Sequence, residues 1–142
     1  MYKRQLIDYS GNEHHGTLVN FTLDGPTSNF INDSDYFITK WEVAAGESIT
    51  IPINSSYTYD FYIDWGDATT TQLEHITTND PNDAAFTHNY TDAGPYTVRI
   101  IGTFPAIYFA DIDSDPNSSK IKEVSQWGSI EWMTMNLSLI HI

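Results

Sequence analysis

Two carboxylates beside a tight turn are the first residues to consider for chemistry. Asp64 and Asp67 flank Trp65-Gly66 at the end of an alternating stretch. Carboxylates this close together are the residue types of a general acid/base pair or of a calcium site. A turn explains the same residues without a substrate, because Gly accepts positive φ and Asp bonds to nearby backbone N–H groups. The sequence therefore favours a structural turn, in which Asp67 accepts backbone hydrogen bonds and Trp65 packs into the core.

An acidic loop is the sharper metal candidate. Asp111, Asp113 and Asp115 stand at alternate positions, as in the first half of a calcium-binding loop. An EF-hand loop then needs Gly at its sixth position and Glu at its twelfth, where this chain has Pro116 and Lys122. That loop type is therefore excluded. The pattern favours a solvated acidic loop, with a looser calcium site on the three aspartates as the alternative.

Aromatic side chains are the third candidate. An exposed platform that stacks on carbohydrate is one interpretation, and packing in the core or against neighbouring repeats is the favoured one. The residues concerned are Tyr62, Tyr108, Trp127 and Trp132.

Motifs for nucleophilic or metal catalysis are missing from the sequence. It contains no G-x-S-x-G, no Gly-rich phosphate loop, no H-E-x-x-H and no Cys. His14 and His15 are adjacent, and neighbours on an extended chain point apart, so they are interpreted as turn residues. We therefore predict no catalytic, cofactor-binding or metal-binding residue, and we do not expect an enzyme.

The amino-acid composition disfavours some classes of binding partner. The 142 residues suffice for one ordinary domain with flanking pieces, and 19 acidic against 6 basic side chains give a net charge of −13. Such a surface repels nucleic acid and anionic membranes. The absence of Cys excludes a disulfide framework. No apolar run approaches 18 residues and no signal peptide is visible, so an exported protein would need an upstream leader.

The candidate site residues lie on or between short segments in which apolar and polar residues alternate, and turn residues separate these segments. No window has a helical period, and strands at this spacing predict an all-β sandwich. The predicted strands are 36–41, 48–53, 57–65, 69–75, 85–90 and 96–104, with Pro52 marking an edge or a strand end. The predicted core is Trp41, Ile49, Ile51, Tyr59, Phe61, Ile63, Trp65, Phe86, Tyr90, Val98 and Ile100.

Three motifs in order resemble a PKD domain, over about residues 36–104. They are Asp64-Trp65-Gly66-Asp67, then 86–90 (FTHNY), then 94–98 (GPYTV). The family has a D-W-G-D-G-type turn followed by H-x-Y-x-x-x-G-x-Y-x-V. The chain departs from it at Ala68, where the family commonly has Gly, and at Pro95. The resemblance implies an immunoglobulin-like β-sandwich.

Flanking segments extend the resemblance. The stretches 37–41, 102–105 and 125–132 (SQWGSIEW) look like BspA-type bacterial surface proteins, in which a PKD-like sandwich precedes leucine-rich-type repeats. Residues 8–18 resemble an edge segment of laminin-G-like or concanavalin-like jelly rolls. The tail 137–142 resembles a translated sequencing adapter, which implies a truncated fragment.

The predicted organisation has four parts. They are a jelly-roll-like remnant and linker (1–35), a PKD-like sandwich (36–104), a connector with the start of repeats (105–136) and a non-native tail (137–142). Trp127 and Trp132 would cap the open core at the repeats.

The resemblance implies a non-catalytic, monomeric module of a bacterial cell-surface protein. Its role would be that of a spacer or of an adhesin segment that binds extracellular protein or glycan. The alternative is an accessory module of a secreted enzyme that degrades polysaccharide or protein.

Overall fold

The structure is a computed structural model, and it divides the chain into two compact units, Met1–Asn32 and Asp33–Ile142. The residues it describes are 5–6, 16–17, 33–67, 73–109 and 115–134. In the first unit, β1 (Gln5–Leu6) pairs antiparallel with β2 (Gly16–Thr17). His14, His15 and the predicted non-native tail lie outside the described residues.

Antiparallel strands are the main regular structure in the described part of the second unit. Two single turns of 3-10 helix, Asp33–Asp35 and Ala84–Phe86, interrupt them. The strands are β3 (Phe37–Val43), β4 (Ser48–Thr50), β5 (Asp60–Asp64), β6 (Glu74–Ile76), β7 (Thr87–Asn89), β8 (Gly94–Thr103) and β9 (Ile121–Gln126). The all-β class predicted from the sequence is confirmed.

Two sheets share these strands. Five strands form one sheet in the order β6-β5-β8-β3-β9, and β4 pairs with β7 in a second, two-stranded sheet. β6 pairs antiparallel with β5, with Tyr62 opposite His75, so the segments predicted as strands at 57–65 and 69–75 contribute neighbouring strands. β4 ends at Thr50, two residues before Pro52, in keeping with a residue that lacks an N–H for a ladder bond.

Alternating burial explains how the strands build one core. On β3, Phe37, Trp41 and Val43 point inward, and on β5 Phe61 and Ile63 do the same. Their partners in one buried cluster come from both sheets, including the short β4–β7 pair. Every residue predicted for the core is at most 2% exposed, so that prediction is confirmed.

Residues after Phe104 belong to the same core. Ile107 and Phe109 are 1% exposed, and Ile121 at the start of β9 is 5% exposed. β9 pairs along β3, with two shifts of register. The described unit therefore continues past the sandwich boundary predicted at Phe104, into the segment predicted as a connector and repeat start.

Tyr59 ties this later segment to the strands before it. Its hydroxyl accepts a hydrogen bond from the Asn54 N–H and donates one to the Ala106 carbonyl, both at 3.0 Å. The ring is buried, and burial raises the pKa of the Tyr59 phenol above its ordinary value. A neutral phenol can fill both roles, so the bond to Ala106 is kept at neutral pH.

Candidate functional site

The turn after β5 is held against the neighbouring strand by its glycine. Gly66 has φ 78°, and the Asp64 Oδ1 accepts a hydrogen bond from its N–H at 2.9 Å. A Cβ added at Gly66 would lie 2.3 Å from the Thr97 carbonyl oxygen of β8. A structural turn is therefore present as predicted, and the Asp64 carboxylate accepts a backbone hydrogen bond within it.

The Asp67 carboxylate contacts a histidine on β7. Its Oδ2 lies 2.6 Å from Nε2 of His88 on β7, and the two side chains are only 10% and 15% exposed. The Trp65 ring stacks on the His88 ring at 5.1 Å between centroids and 13° between planes. The two carboxylates weighed as an acid/base pair are thus engaged separately, one with backbone and one with an imidazole.

Tyr90 contacts both Trp65 and His88. Its hydroxyl donates to the Trp65 carbonyl at 2.9 Å, and its ring meets His88 edge-on at 4.7 Å. Burial, assisted by the negative charge of Asp67, raises the pKa of Tyr90 well above its ordinary value. The phenol therefore stays protonated and keeps its role as a donor.

Glu74 on β6 completes the contacts around the indole. Its Oε2 accepts a hydrogen bond from the Trp65 Nε1 at 2.9 Å. The turn therefore contacts three strands: β6 through Glu74, β7 through His88 and β8 through the close approach of Gly66 to Thr97. We name Asp64, Trp65, Gly66, Asp67, His88 and Tyr90 the turn cluster.

Sequence reasoning placed His88 in a motif but did not identify it as the partner of Asp67. The signal available was the order of the D-W-G-D and H-x-Y motifs, which brings one imidazole and one phenol back to the turn. Because 21 positions separate the pair, only the strand arrangement brings the two side chains together.

Of the aromatic residues weighed as a platform, Tyr62 lies on the outer face of the large sheet. It is 43% exposed and stacks on His75 across β5 and β6, at 4.4 Å and 13°. His75 Nε2 lies 2.7 Å from Asp60 Oδ1, on side chains that are themselves exposed. Polar contacts between exposed side chains stabilise a fold little, so this group is a surface feature rather than a support of the fold.

Trp127 and Trp132 meet elsewhere, against Phe37. The Trp132 ring contacts Phe37 edge-on at 4.8 Å, and Trp127 stacks on Phe37 at 5.8 Å. Trp127 remains 44% exposed and Met133 68% exposed. Within the described residues the Trp132 Nε1 is buried without a hydrogen-bond partner. The two tryptophans pack together at 5.7 Å, but in a group separate from the Tyr62–His75 stack.

Tyr108 lines a surface groove of about 370 Å³. The other walls are the segment 50–55, Pro81, Asp115 and Asn117. Ligand sites commonly occupy concave spaces of this size, lined by rings with a few polar groups. Sequence reasoning noted Tyr108 but not the groove, because Asn117 and its neighbours reach Thr50 only through tertiary contact.

The calcium hypothesis involves three aspartates, of which the structure describes one. Asp111 and Asp113 lie outside the described residues. Asp115 is described, and its Oδ1 accepts hydrogen bonds from the backbone and side-chain N–H groups of Asn117. Within the described ranges, no group of three His, Cys, Asp or Glu side chains is arranged to hold a metal ion.

Comparison with known proteins identifies no relative of this chain: no family model, no curated protein and no solved structure matches it. Among the described residues, no helix has the length and apolarity needed to cross a membrane.

Proposed function

We propose that this chain is a non-catalytic, PKD-like β-sandwich module of a bacterial cell-surface protein. It acts outside the cell as a spacer or as an adhesin segment that binds protein or glycan. The observation that carries the proposal is the closed set of contacts in the turn cluster. There the residue types that most resemble catalytic machinery bond to one another and to backbone.

Support for the absence of catalysis comes from the geometry of the turn cluster. A general acid or base must reach a substrate proton within hydrogen-bond distance. The Asp67 carboxylate instead contacts His88 at 2.6 Å, and both side chains are largely buried. The Tyr90 hydroxyl is directed to the Trp65 carbonyl rather than to solvent. These groups act on the fold, joining β5, β7 and β8 at one end.

Support for the sandwich comes from the arrangement of the sheets. Two antiparallel sheets contribute buried side chains to a single core, which is the way that sandwich domains bury their inner faces. The PKD-type motif residues Trp65, His88, Tyr90 and Tyr96 also contact one another, with Tyr90 and Tyr96 at 4.0 Å. Motifs far apart in sequence therefore form one structural unit, as the resemblance requires.

The proposed location is tested on the cells that encode the chain. Antibodies raised against the purified chain are expected to label intact cells, and protease added outside is expected to remove the label. Labelling that appears only after lysis would contradict the proposal. Recovery of the chain from the medium as part of a hydrolase would support the accessory-module alternative instead.

A further inference from the structure

The groove beside Tyr108 has walls that are fixed by hydrogen bonds. The Tyr108 N–H donates to the Pro52 carbonyl at 3.1 Å, and the Thr50 N–H donates to the Asn117 Oδ1 at 3.0 Å. Asn117 is held in turn by Asp115, whose Oδ1 accepts from the Asn117 backbone and side-chain N–H groups at 2.8 Å and 3.0 Å. A ligand therefore meets a formed site and orders little of the protein on binding.

We propose that this groove binds a neutral saccharide. The Tyr108 ring and the prolines Pro52 and Pro81 supply apolar surface, on which the C–H face of a sugar ring can pack. Asp115, Asn54 and Ser55 supply carboxylate, amide and hydroxyl groups along the same groove. Rings for contact area with a few polar groups for orientation are the composition expected of a small-molecule site.

The Asp115 carboxylate is placed to accept hydrogen bonds from sugar hydroxyl groups. Both hydrogen bonds from Asn117 go to Oδ1, and they hold that oxygen in place. Among the described residues, none donates to Oδ2. Hydrogen bonds to an ionised acceptor are roughly twice as strong as neutral ones, so this oxygen is a strong acceptor for a hydroxyl.

Charge selects a neutral ligand over an anionic one. Among the described residues that line the groove, Asp115 is the one carboxylate and none is Lys or Arg. The chain as a whole carries a net charge of −13. Phosphates, sulfates and uronic acids would meet repulsion without a compensating cation.

Backbone pairing disfavours an extended peptide in the same place. A peptide that adds to a strand edge needs free N–H and C=O groups there. Thr50 and Ile51 already donate their N–H groups to Asn117 and to the Phe86 carbonyl, and the Pro52 carbonyl accepts from Tyr108. Pro52 has no N–H to offer. The groups that remain available to a ligand are ring faces and polar side chains, and these suit a sugar.

Titration of the full chain with neutral oligosaccharides tests the proposal. The probes are tetrasaccharides of glucose, mannose, galactose and N-acetylglucosamine, with a uronic-acid tetrasaccharide for comparison. Isothermal calorimetry and amide NMR shifts are expected to show saturable binding of at least one neutral probe, with shifts confined to segment 50–55 and to residues near Tyr108 and Asn117. The uronic-acid probe is expected to bind more weakly.

Matched variants locate the site. Tyr108→Ala is expected to weaken binding about tenfold through loss of ring contact. Tyr62→Ala removes an exposed tyrosine outside the groove and is expected to leave binding unchanged. Ser55→Trp replaces an exposed residue with a ring that fills the groove and is expected to abolish binding. It supplies a second test if Tyr108→Ala lowers the melting temperature.

Three results would overturn the proposal: no saturable binding of any neutral probe, equal loss in Tyr62→Ala, or tighter binding of the uronic-acid probe. The inference rests on the proposed function only because a surface module meets glycans outside the cell. Labelling of intact cells without saccharide binding would refute saccharide binding in the groove and leave the proposed location standing. Binding by a chain that is found only inside lysed cells would refute the location alone.

Discussion

A chain ended at Phe104 is expected to lose cooperative folding. The deleted segment contains Ile107, Phe109 and Ile121, all of them buried in the core, and it supplies the strand that covers β3. Burial of one such side chain stabilises a fold by about 1.5–3 kcal/mol. Three of them contribute about 5–9 kcal/mol, which is comparable to the 5–15 kcal/mol by which whole domains are stable.

Urea denaturation followed by tryptophan fluorescence and circular dichroism measures this effect. The chain ended at Phe104 should unfold without a sigmoidal transition. The matched control is a chain ended at Thr134, which retains every described residue of the core and should unfold cooperatively. If the shorter chain were to unfold cooperatively with a stability near that of the control, then residues after Phe104 would be an appendage rather than part of the core.

Gly66→Ala is expected to be the most damaging small substitution in the turn cluster. Two costs combine at this position. Positive φ costs an L-residue about 1–2 kcal/mol. The new Cβ would in addition lie 2.3 Å from the Thr97 carbonyl oxygen, a backbone atom that a rotamer change cannot move. Overpacking of this kind adds about 1–3 kcal/mol.

Gly46 offers the control, because it shares the φ of 78° but has no atom within 4 Å of an added Cβ. Gly46→Ala should therefore lower the free energy of unfolding only by the cost of positive φ, about 1–2 kcal/mol. The difference between the free energies of unfolding of the two variants isolates the contact between the turn and β8. Equal losses in the two variants would mean that the turn does not depend on that contact.

Local periodicity was enough to predict much of the core. Phe61 and Ile63 on β5, and Val98 and Ile100 on β8, alternate with less buried neighbours, and strand geometry turns that alternation directly into inward-facing side chains. The same alternation, together with the turn residues beside them, placed Trp65 and Tyr90 in the predicted core.

Features that depend on distant partners were not predictable in the same way. β9 shows no clean alternation of burial, and its two register shifts against β3 explain why the pattern is broken. The predicted strand 85–90 begins instead as a 3-10 turn, because the Asp83 side chain caps the Ala85 N–H at 2.9 Å. Of the candidate sites, the groove was missed because its walls come from segments far apart in the chain.

The Asp67–His88 contact was missed for a related reason. Composition and spacing identify a carboxylate at a turn, but they do not say which buried polar group it meets. A carboxylate that is engaged in the fold and one that acts on a substrate have the same local sequence. Only the packing that brings β7 beside the turn separates the two interpretations.

A double-mutant cycle on Asp67 and His88 tests most directly whether the turn cluster serves the fold. Asp67→Ala, His88→Ala and the double variant are compared with the parent chain by urea denaturation at neutral pH. Each single change removes the contact between the two largely buried side chains, so the double variant should be more stable than the sum of the single losses implies, with a coupling of about 0.5–3 kcal/mol. Losses that add to within about 0.5 kcal/mol would show that the two side chains do not stabilise the fold together, and would contradict the account.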